Sequence, residues 1–164
     1  DGLDYGEWFS NFLHMMVDKV PSDIHNMCTI NALCLESLPE LLEKMIWFKS
    51  ASKVYGPKVN FTLNILRFPS FQSPLVLPNE LRNKFKMDLV KFLNSNEKHL
   101  EHMEVDQTQR LIDYLDVVKT PHAGAAEQSK LQKDFKAFYS QYDKRNGKDF
   151  EKTFPIIGEW YRGI

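Results

Sequence analysis

The sequence of 164 residues predicts an α/β fold with few parallel strands and a helical C-terminal tail. Two short runs with strand character enclose a long helical segment, a proline-rich loop follows them, and helical apolar stripes fill the remainder. The order strand, helix, strand is a βαβ unit, which implies parallel strands and a right-handed crossover. We therefore expect residues 1–70 to contain this unit and residues 71–164 to pack on it as a helical extension, giving a single compact unit.

The chain begins with a predicted helix over residues 5–17, where apolar residues recur with the 3.6-residue spacing of a buried stripe. Pro21 and its neighbours end that helix. The next run, residues 26–35, is apolar and is interpreted as the first strand.

The second helix is predicted to start at Ser37, because Glu40 follows three residues later in the pattern of a capping box. Gly56 and Pro57 end it. Residues 58–66 then alternate between apolar and polar side chains, which predicts the second strand.

After the second strand, three prolines predict a loop at its carboxyl end. Helical stripes follow: one begins at Leu81, a second begins behind an Asp106 to Gln109 start signal, and a third runs from Leu131 until Gly147. Residues 120–124 separate the second and third helices, and residues 150–164 are expected to form one or two short helical turns.

Composition excludes several functional classes. With a net charge of −1, the chain lacks the excess of basic residues that proteins use to bind a nucleic-acid backbone. The sequence contains no run of about 18 apolar residues and no export leader, so we expect no membrane association and a cytoplasmic location. If Cys28 and Cys34 both lie on the first strand, they are roughly 20 Å apart and remain reduced.

Two parallel strands do not form a stable sheet alone in water, because parallel strands need neighbours and cover on both faces. A third strand hidden in a loop, a partner chain or a larger α/β domain would each complete the sheet. Exposed strand edges promote association, so we expect a homo-oligomer.

Both predicted strands carry the pattern Thr-x-Asn, at Thr29 and Asn31 and at Thr62 and Asn64. On neighbouring parallel strands these side chains would share one face, opposite an apolar face suited to helix cover. They either line the lumen of a barrel and contact a ligand, or satisfy one another and buried water.

Arg67 follows the second strand, at the end where α/β folds bind ligands. Its guanidinium could hold a carboxylate or phosphate by a two-pronged hydrogen bond, or form a salt bridge within the loop.

The histidines and acidic residues between positions 97 and 104 are of the types that bind metal ions, but they lack HExxH spacing. We interpret them, Glu104 included, as a solvated junction between helices and expect no metal ion. The dinucleotide, P-loop and hydrolase-elbow motifs are absent from the sequence.

Several segments together resemble the carboxyl-terminal part of radical S-adenosylmethionine (radical SAM) proteins of the twitch or SPASM-associated type, common in marine microbes and phages. The likeness covers nearly the whole chain and rests on patterns spread along it: TIN at 29–31, KVYG at 53–56, VNFTLNILRFP at 59–69, PLVLPNELR at 74–82, QRLIDYL at 109–115, FYSQYDKR at 138–145, and Phe154-Pro155 before Glu159-Trp160-Tyr161.

The resemblance implies a partial TIM-type (β/α) barrel in which a CxxxCxxC loop holds a four-iron four-sulfur cluster that cleaves S-adenosylmethionine. No CxxxCxxC occurs here, and two cysteines cannot replace three converging thiolates. The expectation is therefore a truncated barrel remnant, without catalytic residues, inactive alone and holding no cofactor.

In the intact enzyme the resemblance implies that Thr29, Asn31, Thr62, Asn64 and Arg67 would face the cofactor or substrate. The alternative is a self-sufficient α/β binding or protein-interaction module without redox chemistry.

Overall fold

A computed structural model describes residues 4–18, 23–117 and 125–164. The elements in chain order are α1 (Tyr5–Val17), β1 (Ile24–Ile30), α2 (Cys34–Tyr55), β2 (Val59–Ile65), α3 (Asn79–Asn96), α4 (His102–Leu115), α5 (Ala125–Asn146), α6 (Phe150–Thr153) and α7 (Pro155–Gly163), with short 3-10 turns at Ser70–Gln72, Pro74–Val76 and Glu97–His99. The predicted class, mixed α/β with parallel strands and a helical C-terminal half, is confirmed. No barrel is formed by the residues described.

The two strands form a parallel pair in which Ile24 lies opposite Val59 and Ile30 opposite Ile65. The second strand lies within its predicted bounds, whereas the first is displaced: it begins before Asn26 and ends at Ile30 instead of continuing to residue 35.

The turn after β1 explains this displacement. Asn31 Oδ1 accepts hydrogen bonds from the backbone amides of Leu33 at 2.9 Å and Cys34 at 3.0 Å. Amide donors at a helix start have no partner within the helix, so an Asn side chain there stabilises the turn into α2. The predicted start of α2 at Ser37 is therefore wrong by one turn.

The start of α4 also differs from the sequence prediction. Its capping box joins Glu101 and Glu104, each side chain accepting from the other's backbone amide, so the helix begins at His102 rather than near Asp106. At the other end of the chain, Gly147 ends α5 with a φ of 61°, as its position predicts.

One face of the sheet packs into the hydrophobic core. Val59, Phe61 and Leu63 of β2 are buried against α2. The ring centroid of Phe48 in α2 lies 4.1 Å from that of Phe12 in α1, with the two rings tilted. The helical tail adds an aromatic group centred on Phe135, Phe150 and Tyr161 to the same buried cluster. The core therefore draws on both halves of the chain.

Side chains of α4 cover the outer edge of β2. The backbone amide of Phe61 donates to Glu104 Oε1 at 3.0 Å, and that of Leu63 donates to Gln107 Oε1 at 2.6 Å. Arg110 donates to the Leu63 carbonyl at 3.3 Å. These three positions recur every three residues on one helix face, so α4 supplies the hydrogen bonds that a neighbouring strand would make.

The interhelical segment at residues 120–124 and the break at Pro21 lie outside the described residues. Among the helices described, none is long and apolar enough to cross a bilayer.

Candidate functional site

No helix of the described residues covers the second face of the sheet. Alternate side chains of the two strands share this bare face, and the register pairs them across it: His25 with Asn60, Met27 with Thr62, and Thr29 with Asn64. Met27 is 70% exposed at its centre. Parallel sheets are normally covered on both faces, so an uncovered face with an exposed methionine is a surface suited to contact with another part of a protein or with a ligand.

Thr29 and Asn64 are the exposed pair at the carboxyl end of this face. Neither side chain has a hydrogen-bond partner among the described residues. Thr62 Oγ1, in contrast, lies 3.1 Å from His25 Nε2 in a hydrogen bond across the strands. The expected common face of Thr29, Thr62 and Asn64 is therefore present, and it is open to solvent.

Asn31 does not belong to that face, because β1 has ended before it. Its side-chain oxygen is occupied by two backbone amides at the start of α2. The alternation of residues along the predicted strand did not reveal this role, because an Asn after a strand residue fits both a continued strand and a turn that starts a helix.

Arg67 follows β2 at the same end of the sheet and is exposed. Its guanidinium carbon lies 5.8 Å from the centre of the Tyr114 ring, a cation–π contact. Tyr114 is itself fixed by a 3.0 Å hydrogen bond to Ser73. Arg67 makes no salt bridge within the described ranges, so of the two alternatives the loop ion pair is not seen there, and its hydrogen-bond donors remain available to a ligand.

The outer edge of β1 differs from that of β2. Ile24 N donates to Lys58 O and Ile30 O accepts from Leu66 N, so the even-numbered residues of β1 bond β2 and the odd-numbered ones point their amides outward. Among the described residues no backbone group pairs with this outward edge. Its Thr29 carbonyl accepts from the Cys34 thiol at 3.5 Å. In the described part of the chain the sheet therefore has one closed edge and one edge that pairs with no other backbone.

An apolar cavity of about 300 Å³ lies beside the open edge, between β1, α1 and α2. Trp8, Cys28, Cys34, Leu38 and Leu41 contribute to its walls. Both cysteines therefore line one cavity, contrary to the predicted separation along one strand. The turn at residue 31 ends β1 and places Cys34 at the start of α2, on the same cavity as Cys28.

The two thiols are free. Burial raises the pKa of Cys28, and the nearby Cys34 raises it further. Burial also raises the pKa of Cys34, although hydrogen bonds with the backbone at residues 31 and 34 lower it in part. A thiol with a raised pKa is protonated at neutral pH, which makes it a poor nucleophile and a poor metal ligand.

Glu104 is a buried charge that the sequence analysis placed in a solvated junction. It is 0% exposed and forms a salt bridge with Lys49 Nζ at 2.7 Å, and Lys49 also donates to the Val59 carbonyl at 3.2 Å. His102 of the same segment pairs with Asp106 at 2.9 Å. This segment therefore closes the sheet edge, and within the described part of the chain no group of three or more potential ligands could hold a metal ion.

No protein family, curated protein or solved structure matches this chain.

Proposed function

We propose that this chain is the carboxyl-terminal region of a radical SAM enzyme, in which β1 and β2 are the last two strands of a partial TIM-type barrel. The observation that carries the proposal is the asymmetry of the sheet. Within the described ranges, α4 completes the edge of β2, the edge of β1 pairs with no other backbone, and helices cover only one of the two faces. A terminal pair of barrel strands has this arrangement: the missing strands continue from β1, and the bare face borders the lumen.

The chain does not supply the ligands of an iron–sulfur cluster. Its two thiols are half-buried with raised pKa values, and the described residues contain no third ligand near them. In this proposal the CxxxCxxC loop belongs to a preceding part of the enzyme, and this chain contributes no step of the radical chemistry.

The bare face does suit a polar cofactor or substrate such as S-adenosylmethionine. Thr29 and Asn64 offer unpaired hydroxyl and amide groups, and Arg67 offers a cationic donor at the same end of the sheet. S-adenosylmethionine, when bound, supplies the adenosyl group of the radical chemistry. The role of these residues is to bind and orient by hydrogen bonds; Thr62 would first have to release His25, and Asn31 acts by fixing the turn behind them.

The upstream gene sequence tests the assignment directly: an in-frame CxxxCxxC is expected, and its absence would remove the proposal. In the full-length enzyme, Thr29→Val and Asn64→Ala should each weaken S-adenosylmethionine binding about fivefold, the effect of losing roughly one hydrogen bond of 1 kcal/mol. Ser129→Ala, an exposed change on α5, is the matched control and should leave binding unchanged. Equal binding by all three variants would show that the bare face does not meet the cofactor.

A second candidate, a self-sufficient binding module, is favoured by the cavity of about 300 Å³ at the open edge of β1. An extended peptide could add to that edge and place one apolar side chain in the cavity. A gene that encodes no cluster-binding segment would favour this candidate over the enzyme region.

We also propose that the chain, when expressed alone, forms a homo-oligomer through the edge of β1. Light scattering should report a dimer, and Met27→Lys should shift it to monomer because a lysine on an edge strand opposes pairing. Met87→Lys places the same charge on the exposed surface of α3 and should leave the dimer intact. A strictly monomeric parent protein at high concentration would contradict this proposal.

A further inference from the structure

A second, larger cavity of about 520 Å³ lies beyond the carboxyl end of β1, against the last helices. We call it the tail cavity. Its volume is within the range of small-molecule sites. Its lining residues combine an apolar floor with polar groups: Asn31, Leu33, Tyr139, Tyr142, Asp143, Lys148, Phe150, Thr153 and Phe154.

Opposite charges face the tail cavity from the end of α5 and the loop after it. Asp143 Oδ2 accepts a hydrogen bond from the Phe150 amide at 2.8 Å, which fixes the carboxylate, and its second oxygen has no hydrogen-bond partner among the residues described. Lys148 is exposed, and it forms no ion pair with any described acidic residue, Asp143 included. A carboxylate and an ammonium therefore border one cavity without neutralising each other.

Tyr139 contributes a polar group of a different kind. Its side chain is only 9% exposed and is held by ring contacts at 4.6 Å with Phe135 and 5.3 Å with Phe150. Its hydroxyl has no hydrogen-bond partner among the described residues. The buried ring fixes the position of this hydroxyl in the cavity wall, where its hydrogen is available to an acceptor on a ligand. Burial, with a contribution from Cys34, raises the pKa of Tyr139 to about 12, which keeps the hydroxyl protonated as a donor.

We propose that the tail cavity binds a zwitterionic ligand with an aromatic body, an aromatic α-amino acid being the simplest example. The carboxylate of the ligand pairs with Lys148 and accepts from the Tyr139 hydroxyl, while its ammonium group pairs with Asp143. Its ring lies on the aromatic floor formed by Phe150 and Phe154. This site is separate from the bare sheet face and does not depend on the proposed radical SAM assignment.

The probe is L-tryptophan, titrated into this chain by isothermal titration calorimetry. We expect a dissociation constant below about 1 mM, typical of a small ligand held by a few polar contacts and one ring. Tryptamine lacks the carboxylate and indole-3-propionate lacks the ammonium group, so each should bind at least about fivefold more weakly than tryptophan.

Three conservative variants test the assignment of the polar groups. Lys148→Gln, Asp143→Asn and Tyr139→Phe should each weaken tryptophan binding about fivefold or more. Asparagine keeps the acceptor for the Phe150 amide, and phenylalanine keeps the buried ring, so folding should be retained. Lys144→Gln changes an exposed lysine outside the cavity lining and should bind as the parent does.

Two results would overturn the proposal. The first is a lack of measurable binding at millimolar tryptophan by parent protein whose circular dichroism shows it to be folded. The second is binding that Lys148→Gln and Tyr139→Phe leave unchanged, which would place the ligand elsewhere. If the single variants Lys148→Gln and Lys144→Gln lost binding equally, the effect would be one of general charge, which would also contradict a specific site.

Discussion

Replacing Glu104 by glutamine should cause the largest loss of stability among single conservative changes at the sheet edge. The carboxylate is 0% exposed, pairs with Lys49 at 2.9 and 2.7 Å, and accepts from the amides of Phe61 at 3.0 Å and Glu101 at 2.8 Å. Glutamine preserves the volume and one acceptor but leaves the buried Lys49 ammonium without a counter-charge. Breaking a buried pair in this way costs about 3–5 kcal/mol.

Urea unfolding followed by circular dichroism measures the effect. With a slope of about 2 kcal/mol per molar urea, the midpoint should fall by roughly 2 M. Asp88→Asn removes one partner of an exposed pair with Lys84 and should lower stability by no more than about 0.5 kcal/mol.

A double variant separates the missing charge from other effects of the substitution. Combining Glu104→Gln with Lys49→Met removes both charges, so the double variant should be more stable than Glu104→Gln alone. A loss under about 1 kcal/mol for Glu104→Gln, or a double variant no more stable than the single one, would refute the argument that a buried ion pair closes this edge.

Three further predictions concern single groups. Asn31→Ala should lower the free energy of unfolding by about 1 kcal/mol, because two amides at the start of α2 lose their acceptor. Asn94→Ala, at an exposed position of α3, should change it by less than about 0.5 kcal/mol in the same urea assay. The pKa of Tyr139 is raised from 10.0 to about 12, so the unfolded state ionises first. Stability is therefore fully retained below pH 10.0 and falls as the pH rises to about 12, by about 1 kcal/mol because solvent screens part of the effect. Tyr139→Phe should reduce this loss, and urea titrations across this pH range would detect it. Cys28 and Cys34 should react several-fold more slowly with iodoacetamide in the folded protein than in urea, since burial raises both pKa values; equal rates, read by mass spectrometry, would contradict their burial.

The second strand could be predicted from the sequence because its two faces differ chemically. Val59, Phe61 and Leu63 alternate with Asn60 and Thr62, and the structure buries the first set. The period of two leaves no helical alternative, so both position and orientation follow.

The end of the first strand could not be predicted in the same way. The apolar residues after Asn31 continue without an alternation that separates strand from helix, and a short apolar run fits either. The local hydrogen bonds of Asn31 decide the matter, and these become visible only when the turn is built. The mistaken distance between Cys28 and Cys34 followed directly from that boundary.

The role of Glu104 was hidden for a different reason. A glutamate near a helix start, among other charged residues, is normally solvated. Its buried partners lie 55 residues away at Lys49 and 43 residues away at Phe61, so no local pattern reports them. The tail cavity was likewise beyond sequence reasoning, since Asn31 and Lys148 come together only through the packing of α5.

Because α4 covers the edge of β2, the two edges of the sheet differ in whether they can pair with another strand. Among the described strands, a further strand could pair with β1 but not with β2, because glutamate, glutamine and arginine side chains already bond the outer edge of β2. If two copies join across a two-fold axis through β1, each uses the one sheet edge that the described residues leave without a backbone partner, so their association ends at a closed pair. By bonding the edge of β2 in place of a strand, α4 opposes open-ended fibre formation and leaves the edge of β1 for one partner strand.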